Sequence, residues 1–309
     1  MWTTDINGVV ERAAALEAGR TDAEIRQAVR CGELVVACRG MYIPRSSLPD
    51  EPWRLIQEVY RRRCLTIAAR TPGLILSHQS AAAIQRIEML KPDLTRLHES
   101  VESGAHGKRL ATRHIHTRTT FAEVTRIDGL LVTDLPTTAV DVAAGTDFAG
   151  ALAVLDSALR LGVTRDELRD ALDSRRRRGS DKVRAALRLA DGRSANPGES
   201  WGRAQLIEAS LPVPDLQVEV RVADRVYYSD YDWDGLVIGE FDGRAKYLAN
   251  LKPGESIGDA VMREKDRENA LRDMGFDVVR WDWVALERHE VAARVRPRLE
   301  AARLVPRHF

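Results

Sequence analysis

Three carboxylates crowd one short stretch of this sequence. Asp230 precedes an Asp234-Gly235 pair, Glu240 and Asp242 follow it, and apolar residues run on both sides. The pattern predicts two strands joined at Asp234-Gly235, a strong hairpin signal. Carboxylates held on a small sheet are costly to bury unless a cation or a proton offsets their charge. A hard divalent cation, Mg²⁺ or Mn²⁺, does this with carboxylate and water oxygens. The register sets a condition on any shared metal. A two-residue loop would put Asp230 and Glu240 on opposite faces, because side chains alternate with a period of two. An odd-length loop such as Trp233-Asp234-Gly235, or a bulge, returns them to one face.

An Asp followed about ten residues later by a Glu-x-Asp or Glu-x-Lys on the next strand resembles the core of the PD-(D/E)XK nucleases. The run Gly239-Glu240-Phe241-Asp242-Gly243-Arg244-Ala245-Lys246-Tyr247 is closer to an actinobacterial domain related to very-short-patch-repair endonucleases. Gly198-Glu199-Ser200, Leu211-Pro212-Val213-Pro214 and residues 274–281 extend the resemblance from about residue 195 to the end of the chain. It implies metal-assisted phosphodiester hydrolysis, the metal lowering the pKa of its water. Asp230 and Glu240 would hold Mg²⁺ or Mn²⁺, Asp242 would be a further ligand, and Glu199 would bind directly or through water. Asp242 stands where the family's Lys is usual, and Lys246 is the candidate substitute that would orient the water or stabilise the developing negative charge. The competing reading makes Asp232, Asp234 and Asp242 hairpin-rim charges of an inert nuclease-like domain.

The elements expected to position these groups follow the nuclease order. A helix starts at Glu199, and strands occupy 218–222, 226–233 and 236–242. A charged helix then spans 259–274, a buried strand 276–281 and helix 284–304. Asp191 to Gly198 is dense in turn formers and marks a linker.

The whole chain has 309 residues, enough for two or three domains. Its net charge of +1 hides an asymmetry: −1 over residues 1–50, +6 over 51–190 and −4 over 191–309. A basic middle attracts phosphate, whereas an acidic C-terminal part needs its cation before it approaches a phosphate backbone. No run approaches a membrane-spanning length. The first residues lack a secretory pattern. Three cysteines without metal-ligand spacing point to a reducing, cytoplasmic setting.

Near the N-terminus, Thr21-Asp22-Ala23-Glu24 forms a capping box for a helix to about Cys31, closed by Gly32. An earlier helix is expected over 6–17. Strand 34–38, a turn at Arg39-Gly40 and a return strand 41–43 complete a winged helix-turn-helix order. Residues 29–34 and 39–42, with residues 77–82 and 132–139, resemble AbiEi-type antitoxins, DNA-binding repressors of type IV toxin–antitoxin systems. The resemblance implies that helix 21–31 recognises double-stranded DNA through Arg20, Arg26, Gln27 and Arg30, with Arg39 at the wing. The competing reading is an ordinary solvated helix face.

Residues 51–190 read as mixed α/β. Their histidines, His78, His98, His114 and His116, include a His-x-His pair on one strand face, but no Cys or acid completes a ligand set. They are read as surface or packing residues. Ser77 and Ser80 lack a nucleophile elbow. Arg175 to Arg178 is read as a solvated helix end.

The expected protein is thus α/β and multidomain. It comprises a winged helix over 1–50, a mixed α/β scaffold over 51–190 and a restriction-endonuclease-like mixed sheet flanked by helices over 195–309. Two functions remain open at this point. One is a DNA-guided, metal-dependent endonuclease. The other is an antitoxin or transcriptional regulator whose inert nuclease-like domain meets a cognate toxin protein.

Overall fold

The computed structural model describes residues 2–102, 107–118, 123–222, 225–243 and 274–305. The chain divides into two compact units, Met1–Ile87 with Lys91–Val142, and Glu88–Leu90 with Ala143–Phe309. The architecture is multidomain α/β, with mixed sheets flanked by helices. No helix among the described residues is long and apolar enough to cross a membrane.

The first unit starts with β1 (Val10–Glu11), α1 (Arg12–Glu17), α2 (Asp22–Arg30), β2 (Leu34–Cys38) and β3 (Met41–Pro44). The three strands form a sheet in the order β1-β3-β2. The capping box is present: the Thr21 amide donates to Glu24 Oε2 at 2.7 Å, and the Glu24 amide donates to Thr21 Oγ1 at 3.2 Å. Ile25 and Ala28 turn inward onto Val10, Ala15 and Leu34. The first helix is shorter than expected. Asp5 Oδ1 accepts the amides of Asn7 and Val9, each at 2.8 Å, and Gly8 lies at φ +72°. That local turn takes 5–9 out of the helix and delivers Val10 to the sheet opposite Tyr42.

The same unit continues with α3 (Pro52–Ala69), β4 (Ile75–Leu76), α4 (His78–Ile84), β5 (Leu97–Glu102), β6 (Lys108–Arg109), β7 (Arg113–Arg118), β8 (Val124–Ile127) and β9 (Leu130–Thr133). These strands form a mixed sheet in the order β6-β7-β5-β4-β9-β8. Tyr60, Cys64, Leu76, Leu97 and Val132 form its core. α5 (Leu135–Ala144) runs through the point where the two units divide.

The second unit holds α6 (Phe148–Arg160), α7 (Arg165–Asp173), α8 (Ser180–Leu189), α9 (Pro197–Glu208), β10 (Asp215–Val222), β11 (Arg225–Trp233), β12 (Val237–Asp242), β13 (Asp277–Asp282), α10 (Trp283–Glu287) and α11 (Val291–Ala301). Its sheet runs β10-β11-β12-β13, antiparallel except for the parallel β12–β13 pair. Helices 148–189, which the sequence suggests belong to a middle domain, group with this sheet. Within this unit, a buried ion pair ties α6 to α9. Arg203 Nη2 on α9 donates to both oxygens of Asp156 on α6, at 2.7 and 2.8 Å. Arg177 does not point to solvent as a helix-end charge would; it donates to the Ala171 and Leu172 carbonyls at the end of α7.

Glycine sets how closely α9 meets the sheet. A Cβ at Gly202 would come within 2.7 Å of Tyr231 Oη and 2.9 Å of Trp281 Nε1. Tyr231 Oη donates to the Glu199 carbonyl at 2.6 Å, fixing the start of the helix over β11.

Candidate functional site

The hairpin meets the register condition. Asp234 and Gly235 both take positive φ, +53° and +66°, as the central residues of a type I′ turn do. Trp233 pairs with Val237, so Leu236 is an extra residue and the loop is Asp234–Leu236, one position later than the sequence suggests. Asp232 Oδ1 accepts the Gly235 amide at 2.9 Å, and burial pushes the Asp232 carboxyl up. The last ladder pair toward the acids is Tyr231↔Gly239. One step further, Asp230 and Glu240 are in phase by alternation. There the ladder stops, and the Phe241 amide donates to Asp230 Oδ2 at 2.8 Å.

Glu199, Asp230 and Glu240 are buried, at 2%, 5% and 4% exposure. Gln217, a non-glycine residue at φ +52°, reaches between two of them: its Nε2 lies 3.5 Å from Glu199 Oε2 and 3.4 Å from Asp230 Oδ1. Glu199 also has a local role. Its Oε2 accepts the Ala195 amide and its Oε1 accepts Asn196 Nδ2, each at 2.7 Å, while Asn196 Oδ1 caps the helix through the Gly198 and Glu199 amides. That is helix-start chemistry, worth about 1 kcal/mol. Asp242 is half-buried at the end of β12, in register with Asp282. Lys246 and the expected helix 259–274 lie outside the described residues.

The donor set is all oxygen, the kind Mg²⁺ and Mn²⁺ prefer. Among the described residues, however, no three of these carboxylates bring ligand atoms within 4.8 Å of one another.

The trio that does converge is one the sequence presents as packing. Each of His98, His114 and His116 offers a ring nitrogen, all within 4.8 Å of one another, so a divalent metal could be coordinated here. β5 and β7 run parallel with His98 opposite His114 and Ser100 opposite His116. His98 Nδ1 lies 3.0 Å from His116 Nε2. His78 stacks on His116 with centroids 3.6 Å apart. Burial first, then His114, holds the His98 imidazole down to about 4, so it is neutral at physiological pH. Ser80 is no nucleophile: its hydroxyl accepts the His98 amide at 2.8 Å and bonds Tyr60 Oη at 2.7 Å.

On α2, Arg26, Gln27 and Arg30 are solvent-facing, opposite buried Ile25 and Ala28, and Arg39 lies at the β2–β3 turn. Arg30 Nη2 donates to Gln27 Oε1 at 2.6 Å. Arg20 is engaged within the module, over the Trp2 ring at 4.9 Å and paired with Glu24 at 3.3 Å.

No family profile matches the sequence. Two curated relatives do: uncharacterized protein MT2308 of Mycobacterium tuberculosis strain CDC 1551 / Oshkosh, and uncharacterized protein Rv2248 of strain ATCC 25618 / H37Rv. Each is 32% identical over 188 residues, 59% of this chain and 67% of the relative. The chain belongs to the family of these mycobacterial proteins, whose names state no activity. The crystal structure of the RV2827C protein from M. tuberculosis aligns with 17% identity over 69% of this chain and 83% of that one, at a TM-score of 0.33. A score that low adds nothing to the fold assignment.

Proposed function

We propose that this protein is a DNA-binding, metal-dependent phosphodiesterase whose C-terminal unit carries a PD-(D/E)XK-type site. One observation carries the reading: Asp230 and Glu240 are buried and in phase at the point where the β11–β12 ladder stops. Carboxylates buried on neighbouring strands are an electrostatic cost that a bound cation offsets. The order α9, β10, β11, β12 and then β13 parallel to β12 supports the same reading, since it matches the nuclease core the sequence resembles.

When bound, Mg²⁺ or Mn²⁺ would acidify a water and neutralise charge on the scissile phosphate. Asp230 and Glu240 would hold it, with Asp242 at the rim. Gln217 holds Glu199 and Asp230 in mutual register. Lys246 would stabilise the developing negative charge, as the resemblance implies. Arg26, Gln27, Arg30 and Arg39 would meet duplex phosphates, while Arg20 supports the module.

A second reading is favoured by Glu199. Both its oxygens serve the start of α9, and no carboxylate trio converges among the described residues. Under it, the unit is an inert nuclease-like fold in an antitoxin or regulator that pairs with a toxin protein. Incubating purified protein with plasmid and Mg²⁺ or Mn²⁺ separates the two. The first reading expects nicking that Glu240→Gln abolishes; absence of metal-dependent nicking by wild type favours the second.

A further inference from the structure

The first unit contains a histidine cluster that the phosphodiesterase reading does not use. We propose that His98, His114 and His116 form a second, chemically distinct metal site that takes Zn²⁺ or a similar borderline transition ion in a four-coordinate shell with one position open to water.

Three imidazole nitrogens from two adjacent strands lie within 4.8 Å of one another. Zinc at about 2.0–2.1 Å from each nitrogen sets its tetrahedral ligands ~3.3 Å apart. His98 Nδ1 and His116 Nε2, at 3.0 Å, already stand near that spacing. Small movements of His114 would complete a three-nitrogen face. Imidazole suits Zn²⁺, Cu²⁺, Ni²⁺ and Co²⁺ and is a poor ligand for Mg²⁺. The two sites therefore draw on different cations.

The cluster is held rigidly, as a binding site must be. The parallel β5–β7 ladder fixes His98 beside His114 and sets His116 two residues on. Ser80 anchors the His98 amide. Arg113 of β7 pairs with Glu99 of β5, tying the same two strands together. His78 sits at φ +47°, a region a non-glycine residue enters rarely, and that backbone lays its ring over His116. Beyond burial, Arg109 and Arg96 act on the cluster electrostatically and favour the neutral imidazoles of His98 and His114, the form that binds a metal. Arg96 spends its donors on the Leu110 carbonyl at 3.0 Å and on Asp93 at 3.4 Å, and Arg109 is exposed. The competing account is a plain His98–His116 hydrogen bond inside a packed ring cluster, which needs no metal.

The test uses full-length, tag-free protein freed of metal by a chelator and titrated with Co²⁺, then Zn²⁺. The proposal expects one equivalent of Co²⁺ with the intense visible absorption of a four-coordinate ion, displaced by Zn²⁺ and untouched by excess Mg²⁺. The absorption should vanish in His116→Ala and His98→Ala and persist in Glu240→Gln. The half-buried His114→Ala variant, with circular dichroism beside it, separates loss of a ligand from loss of the fold: a native spectrum without absorption supports the site. Absence of the band in wild type overturns the proposal, a result no folding defect of a variant can produce. Full absorption in a natively folded His116→Ala also overturns it.

Discussion

Asp156→Ala should destabilise the second unit more than any surface change. Asp156 is fully buried on α6 and receives four hydrogen bonds. Two come from Arg203 Nη2, one from Ser200 Oγ at 2.7 Å and one from the Asp191 amide at 2.7 Å. Burial pushes the carboxyl up, but every group facing it is a donor, so the anion satisfies the pocket. Removing one partner leaves Arg203, 2% exposed, as an uncompensated buried charge. That costs about 3–5 kcal/mol. Replacing both, as Asp156→Leu/Arg203→Met, removes the charge and takes the acceptor from the Asp191 amide, roughly 1–3 kcal/mol, while Ser200 Oγ keeps Ser194 Oγ as a partner at 3.0 Å. The double variant should therefore be less destabilised than the sum of the two single variants. Urea unfolding followed by tryptophan fluorescence reports mainly on this unit, which holds four of the six tryptophans. A loss below ~1 kcal/mol for Asp156→Ala, or strict additivity, would refute the reasoning.

Three other outcomes are expected. Arg26→Ala/Arg30→Ala should weaken duplex DNA binding and flatten its salt dependence by a log–log slope of about 0.9 for each phosphate no longer neutralised; equal titrations of wild type and variant would remove α2 from the interface. Gly202→Ala should unseat α9, because a Cβ there meets Tyr231 Oη and Trp281 Nε1 inside van der Waals distance; an unchanged melting temperature would contradict this. Burial pushes the Cys64 thiol up to about 11 from a usual 9.0. The folded value lies above the unfolded one, so its contribution is intact below pH ~9 and is lost as pH rises toward ~11, about 3 kcal/mol in all. The wild-type minus Cys64→Ala stability difference across that window measures it, and a flat difference would count against the burial argument.

What the sequence makes legible is local. The Thr21–Glu24 capping box and the turn at Asp234-Gly235 announce themselves because their partners lie within four residues. The turn's odd length is readable only as a requirement, since Leu236 shows itself as the extra residue only once Val237 has paired with Trp233. Apolar spacing over-extends helix 6–17 because it says nothing of Asp5 folding back on the Asn7 and Val9 amides. The histidine cluster is hidden for a topological reason. His98 and His114 meet only because β5 and β7 pair in parallel, a register no local spacing encodes. The Asp156–Arg203 pair is equally hidden, its members 47 positions apart in the chain. The acids are legible as a group, but the use of Glu199 as a helix-start residue is not, although Asn196 three positions earlier is the available signal.

The central claim is a metal-dependent phosphodiesterase site at Asp230 and Glu240. Its most direct test is single-turnover cleavage of a labelled DNA duplex, with binding measured on the same preparations in Ca²⁺. Wild type should cleave with Mg²⁺ or Mn²⁺. Glu240→Gln should bind with nearly the same affinity and fail to cleave. Cleavage that persists unchanged in Glu240→Gln would place the chemistry elsewhere and contradict the account.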